Sequence, residues 1–457
     1  MAEAVLLIPA CVFLALFTQR FGSAVAIVVV LVGSLAIFPV VLTSTVRAPH
    51  VGVAGPGLDI STYGAGVCLA LLIALFSHGS GSKTQPLWMF LPFVVFLIVG
   101  MCFLWSGTNE QVAGTWQYLL GVGGWIVGGF VGRKLVVGQG GTAGAFTTVI
   151  FCAIVIQFAL SVLQWVGVLA PSVDAQTAEL VGGRVSGSLN HPNNLGKTLF
   201  LLMALLLPFT KSDNRRIRLT SQAGLIVALI PLGLTGGRAV LAGAILLMGA
   251  WAVLQPAALD RGRRFVLPAM AGLAVLMFGG AALSRLEEDP TGGSRDRLLA
   301  VALDLIPSHL WTGVGPNSYV TAVGPYDALT ATGWPVHNTF VLGVVELGLI
   351  GAVLLFVPVV WAALRAVVHL GQKGPHAAFS AAAISSIPGL LLIGTTGWGM
   401  LAGPILPLWF FAMAVLTSAA SENGLRAGRA NGQQAFEREP GLTFLAQATK
   451  QTSMKGK

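Results

Sequence analysis

His337 and a scattered group of cations are the residues best suited to chemistry in this chain. His337 stands at the head of an apolar run and is followed by Asn338. A neutral imidazole there would act as a general base on a hydroxyl. Arg184, Lys197, Arg238, Arg295 and Arg297 lie at or near the starts of other segments, and Arg285 lies just past the end of one. Asn190-His191-Pro192 opens the run that bears Lys197, and proline suits the first position of a helix. Gly236-Gly237-Arg238 opens a further run, Ser294 precedes Arg295 and Arg297, and Pro335-Val336-His337 opens the last long one. Helix N-termini present free N–H groups and the positive end of a dipole, which attract anions. Several such ends with several cations predict a site for a polyanion, and a pyrophosphate fits. The bland alternative is that each arginine snorkels to lipid headgroups.

The same cations, with a helix N-terminus, should disfavour protonation of His337. Gly348 follows it by about three turns and is expected on the same helix face, with Gly351 one turn further. Small residues there would let helices pack closely and fix the imidazole. Glu346, an acid inside an apolar run, invites a functional role. Its spacing turns it away from His337, so an interhelical hydrogen bond is expected of it.

These residues must be positioned by helices in lipid. The chain has 457 residues, 55% of them hydrophobic and 9% charged, against roughly 25% charged in a soluble domain. Apolar stretches of about 20 residues recur, each long enough to cross a bilayer. They are continuous rather than alternating, which favours helices over a barrel. Expected spans are 4–18, 22–43, 61–78, 87–105, 116–132, 144–170, 192–210, 220–236, 239–255, 265–283, 337–364, 378–397 and 401–418, giving twelve or thirteen helices. Cys11, Cys68, Cys102 and Cys152 all fall within them, form no CxxC pair and read as small core hydrophobes.

The net charge of +9 does not argue for nucleic acid, because the excess sits in loops flanking the spans. Loops 211–218 and 256–264, Arg133 with Lys134, Arg365 with Lys373, and the basic tail fall on one side. The positive-inside rule makes that side cytoplasmic. Loop 171–191, the turn 236–238 and the long connection 284–336 are then extracytoplasmic. Setting aside Arg47, the cations named above run against the rule and need a reason. Within the long connection, Leu298, Leu299, Ala302, Leu305 and Ile306 make a one-sided helix starting at Arg295, suited to the membrane interface, with Ser294 as its N-cap. The first run lacks the basic start of a signal peptide and is expected to remain as a helix. The organisation expected is N-terminal helices over 1–183, a catalytic region over 184–364, C-terminal helices over 365–418 and a polar, disordered cytoplasmic tail over 419–457.

His337-Asn338, nine residues, Gly348, two residues and Gly351 resemble the H-[NSQ]-x9-G-x2-[GTY] signature of O-antigen ligases. Arg184-Val185-Ser186-Gly187 with His191-Pro192-Asn193, then Thr235-Gly236-Gly237-Arg238, then Arg295 to Ile306 with Trp311-Thr312-Gly313-Val314-Gly315-Pro316-Asn317-Ser318-Tyr319, resemble other motifs of that family in the same order. The chain thus resembles the O-antigen ligase and O-antigen polymerase (Wzy-type) superfamily over about 184–351. That resemblance implies an all-α, GT-C-type membrane glycosyltransferase of the bacterial plasma membrane, metal-independent, inverting and without a cofactor. The donor would be a glycan on undecaprenyl pyrophosphate, and the acceptor a glycan or lipid hydroxyl at the outer face. Arg184, Arg238 and Arg295 would bind the leaving pyrophosphate and His337 would activate the acceptor. Arg295 and Arg297 each fit the loop position, and the alignment of Ala302 to Ile306 favours Arg295. Lys197 matches no family motif and is expected as a further phosphate contact. Asn193, Asn317, Tyr319 and Asn338 are expected to contact pyrophosphate or glycan. A polymerase joining lipid-linked repeats would use the same residues. A transporter is the more distant alternative, but it should show inverted repeats, and none is visible.

Overall fold

The computed structural model describes residues 22–43, 53–54, 58, 60–77, 89–137, 141–170, 183–255, 269, 272, 294–370 and 375–420. The expected span 4–18, nearly all of 265–283, the loop 256–264, the tail, and Cys11, Arg47, Arg285 and Lys373 lie outside them.

The protein is all-α and membrane-embedded. Among the described residues five helices are long and apolar enough to cross a membrane, and five shorter apolar helices accompany them. In chain order the elements are α1 (Ser23–Val32, continued by a π-turn Gly33–Ile37), the paired strands β1 (Val41–Thr43) and β2 (Ile60–Ser61), and α2 (Thr62–Phe76). There follow α3 (Leu91–Val99, with a π-turn Gly100–Leu104), α4 (Asn109–Val137), α5 (Gly141–Trp165), α6 (Pro192–Leu206, with a 3-10 turn to Lys211), α7 (Arg215–Leu234) and α8 (Arg238–Leu254). After the undescribed stretch come α9 (Arg295–Leu305), the short α10 (Tyr319–Val323) and α11 (Ala328–Ala331), α12 (Thr339–His369), α13 (Pro375–Thr396) and α14 (Ile405–Ala420).

Helix α6 is the centre. Every residue from Leu195 to Thr210 is buried, as expected for a helix apolar on all sides. Around it, α4 and α14 meet along a glycine seam. Gly124, Gly128 and Gly132 recur every fourth residue, and a Cβ on them would run into the backbone carbonyls of Pro407, Phe411 and Val415 respectively. In lipid there is no hydrophobic gain between helices, so close backbone approach supplies the packing. Cys102 and Cys152 are exposed and Cys68 is only half-buried, which corrects their expected place in the core. In an apolar solvent a small apolar side chain has no reason to turn inward.

The long connection departs most from expectation. The backbone of residues 310–315 runs against α12 where that helix breaks, with Gly313 and Gly315 buried and the Trp311 side chain facing out. Gly348 has φ 68° and ψ 177° inside that helix, a conformation essentially confined to glycine. The break frees backbone groups, and the connection takes them up. Val314 and Gly315 N–H donate to the carbonyls of Val345 and Glu346 at 2.9 and 2.8 Å. Leu349 N–H donates to Leu310 at 2.7 Å, and Ile350 N–H to Trp311 at 3.3 Å. Non-helical backbone at membrane depth survives only when such partners exist. Trp105 Nε1, leaving the π-turn of α3, donates to Thr312 O at 3.0 Å, and Gln111 Nε2 donates to Val314 O at 3.2 Å. Gly348 therefore does not stack beneath His337 on an unbroken face. A Cβ there would strike Trp311 and Thr312. Gly351 does admit close packing, against Phe96 of α3.

Helix α9 buries Leu298 and Ala302 and leaves Leu303 exposed, and it packs on α12. Ser294 precedes it but makes no side-chain cap hydrogen bond, contrary to expectation. Replacing Gly348 by Ala should cost about 3 kcal/mol, read as a lowered thermal midpoint of the detergent-purified protein. Gly249→Ala, at a helical glycine with open space around it, should leave that midpoint unchanged.

Candidate functional site

Two groups of predicted residues meet on α6. The first is built on Arg184. Its Nε donates to the carbonyl of Thr235, and its Nη2 donates to Asn193 Oδ1 at 2.7 Å. Asn193 lies in the first turn of α6, where the N-cap His191 accepts from its N–H through Nδ1 at 3.0 Å. The Thr235–Arg238 turn folds against this pair. Gly236 has φ 59°, and a Cβ there would touch the Arg184 side chain. Arg238 becomes the first residue of α8. Arg184, Asn193 and Arg238 are thus joined by one turn docking on one helix end.

The segment carrying Arg184 is itself held by α5. Gln164 Oε1 accepts from the N–H groups of Ser186 and Gly187 at 2.9 and 2.8 Å. Gln157 Oε1 accepts from Ser188 N–H at 3.1 Å. Sequence reasoning passed over both glutamines, although two amides seven residues apart in an apolar run share one helix face and were the signal.

The second group surrounds His337. It lies two residues before α12, just outside the N-cap Asn338, not at the head of the helix itself. Its Nδ1 is 3.0 Å from the carbonyl of Pro335. A carbonyl only accepts, so Nδ1 carries the hydrogen and the neutral ring keeps its lone pair on Nε2. Its ring stacks on Trp334, with centroids 5.8 Å apart and planes within 16°. Burial first, then the positive charge of Arg295, and then that of Lys197 push its pKa down to about 4, against an opposing pull from Pro335 O. Arg295 from α9 and Lys197 from α6 therefore both lie close enough to act on His337.

Lys197 is only 6% exposed. A Cβ on Gly399 would collide with its Nζ and lie 3.5 Å from Asn194 Oδ1. The 397–403 connection that covers it is pinned to α12 by Thr339 Oγ1, which donates to Gly397 O at 2.6 Å. Asn193 and Lys197 are four residues apart and so share one face of α6, which ties the two groups together. The other end of the bundle carries Lys211, Arg215 and Arg216, separated from this site by the 20-residue helix α7, about 30 Å long.

Other predicted residues are spent on the protein itself. Arg297, 62% exposed, forms an ion pair with Asp327 at 2.5 Å. The Thr330 backbone amide and hydroxyl, together with Arg297, hold the Asp327 carboxyl below its usual range. The structure thus separates the two loop arginines, with Arg295 acting on His337 and Arg297 fastening the loop. Asn317 and Tyr319 are each 1% exposed. Asn317 Oδ1 accepts from Ala54 N–H at 3.2 Å, and its Nδ2 donates to Glu110 O at 3.3 Å. Burial, then the Asp327 charge, raises the pKa of the Tyr319 phenol. Asn338 Oδ1 caps α12 through Phe340 and Val341 at 3.0 and 3.1 Å. Asn317 and Asn338 thus make internal contacts in place of the expected glycan ones, and Tyr319 is buried.

Glu346 is the interhelical hydrogen bonder expected. It is fully buried, and Tyr118 Oη of α4 donates to its Oε2 at 3.1 Å. Its carboxylate also faces the backbone amides of Asn317 and Tyr319. Among the described residues no three His, Cys, Asp or Glu side chains gather as metal ligands would. No protein-family model matches the chain, and no curated protein matches it.

Glu346→Ala removes the shared acceptor of two helices and a loop. It should lower stability by about 2 kcal/mol, and Glu346→Gln by about 1 kcal/mol. Thermal unfolding of both variants in detergent checks the order.

Proposed function

We propose that this protein is an O-antigen ligase-like glycosyltransferase. It moves a glycan from undecaprenyl pyrophosphate to an acceptor hydroxyl at the outer face of the bacterial plasma membrane, by metal-independent inversion. The observation that carries this is the convergence of Lys197, Arg295 and a neutral His337 at the α6 end that also holds Arg184 and Arg238. The order of motifs along the chain adds to it. A GT-C-type helical scaffold, with α9 lying at the interface, belongs to the same proposal.

His337 Nε2 accepts the acceptor's hydroxyl proton. The freed oxygen attacks the anomeric carbon from the side opposite the diphosphate, and the C–O bond to the diphosphate breaks with its electron pair leaving on oxygen. Charge grows on the departing group, so fixed cations stabilise the transition state more than the ground state. In this reading Lys197, Arg295 and Arg238 take that task. Arg184, bonded to Thr235 and Asn193, holds the Arg238 turn in position and adds its own charge. The lipid chain of the donor stays in the bilayer.

Reconstituted protein with a defined lipid-diphosphate glycan tests the proposal. His337→Ala should abolish transfer, by at least a hundredfold, while donor binding persists. Arg295→Ala should weaken both binding and transfer. Unchanged turnover by the His337 variant would remove it from the mechanism. The product also separates two activities: single attachment of finished chains marks a ligase, and growth in chain length marks a polymerase.

The lowered pKa of His337 has a readout in pH. The free protein keeps His337 neutral above about pH 4, so kcat/KM should fall only as pH drops through that value. Bound diphosphate, an anion, favours the imidazolium, so the acid limb of kcat should lie higher. An acid limb of kcat/KM at the ordinary histidine value would contradict the buried, cation-flanked imidazole.

A further inference from the structure

Trp334 was passed over in the sequence and touches the site directly. It stands on the turn Gly333-Trp334-Pro335, with Gly333 at φ 100°. One part of its indole lies against the His337 imidazole, yet 37% of Trp334 remains exposed. Trp311 and Tyr326 on the same connection are 61% and 79% exposed. Among the described residues neither stacks on another ring, which is how aromatic anchors at a membrane interface sit. Trp334 differs because its plane is fixed beside the base.

A flat, partly exposed indole next to a proton acceptor matches a pyranose ring. Such a ring carries C–H groups on its faces and hydroxyls at its rim. The C–H face can lie on the aromatic surface while one rim hydroxyl reaches His337 Nε2. A serine or threonine hydroxyl on a peptide has no equivalent face. Resting on the glycosyl-transfer proposal above, we propose that Trp334 is the platform for the acceptor's sugar ring, and that it selects a carbohydrate acceptor over a peptide hydroxyl.

The test uses the full-length protein in lipid nanodiscs, with a lipid-diphosphate glycan as donor. The acceptor probes are the methyl glycosides of glucose, galactose and mannose, and a serine-containing peptide. Trp334→Ala should raise the KM for the best glycoside at least tenfold with kcat changed less than threefold, and Trp334→Phe should recover most of the loss. Release of lipid diphosphate to water, which needs no sugar on the platform, should continue in both variants. Saturation-transfer NMR should show glycoside ring protons contacting wild type and not Trp334→Ala, and no contact with the peptide. An unchanged KM in Trp334→Ala, a fall in kcat at constant KM, or equal use of the peptide would each overturn the proposal while leaving glycosyl transfer standing. Absence of both transfer and lipid-diphosphate release from wild type would instead sink the underlying activity, and the platform with it.

Discussion

The rest of the structure depends on how the backbone of a broken helix is satisfied inside the bundle. An interruption such as that at Gly348 strips hydrogen bonds from a spanning helix where lipid offers none. Here the missing partners come from the long connection, whose residues 310–315 run alongside the break. The arrangement binds distant parts of the chain. Trp105 and Gln111 hold the inserted segment from one side, and Glu346 holds it from the other while gripping Tyr118. Because α9 and the His337 turn flank this insert in sequence, Arg295 and the imidazole inherit their relative placement from it. A connection of this length would otherwise be a poor carrier of precisely placed charge.

Burial and charge then act together on the site. The imidazole is half-buried beside two cations, and both conditions favour its neutral form. The carbonyl of Pro335 works against them slightly but decides which nitrogen bears the hydrogen. Lys197 is a buried cation on α6, close to Asn194 and to the 397–403 connection. The Arg184 group supplies rigidity more visibly than charge, since two of its nitrogens are already committed.

Much of this was legible from residue order. Continuous apolar runs gave the helices, because lipid imposes one solution on every span. The proline and asparagine at the start of α6 and the glycine turn before α8 marked helix starts correctly, since their backbone preferences are local. What was not legible was the insertion. Helical periodicity placed Gly348 on an unbroken face, and only a partner segment far away in sequence reveals that the helix parts there. The same long-range fact turned Asn317 from an expected ligand into an internal fastener, whereas Asn338 is a local helix cap. The alignment of Ala302 to Ile306 favoured Arg295 over Arg297, but the reason Arg297 is spent elsewhere, its ion pair with Asp327, is a contact between distant residues. The glutamines of α5 and the glycine seam of α4 were present as patterns, but a pattern does not name its partner.

That seam has a bearing on biogenesis. The groove on α4 is cut for the carbonyls of α14, yet most of the described chain is made between the two. Helices enter the membrane in order of synthesis, so α4 must wait in the bilayer with its notch empty, or filled by lipid or a temporary neighbour. The seam can close only when α14 arrives, so a chain cut before Ile405 would leave three glycines of α4 without the backbone they are cut for.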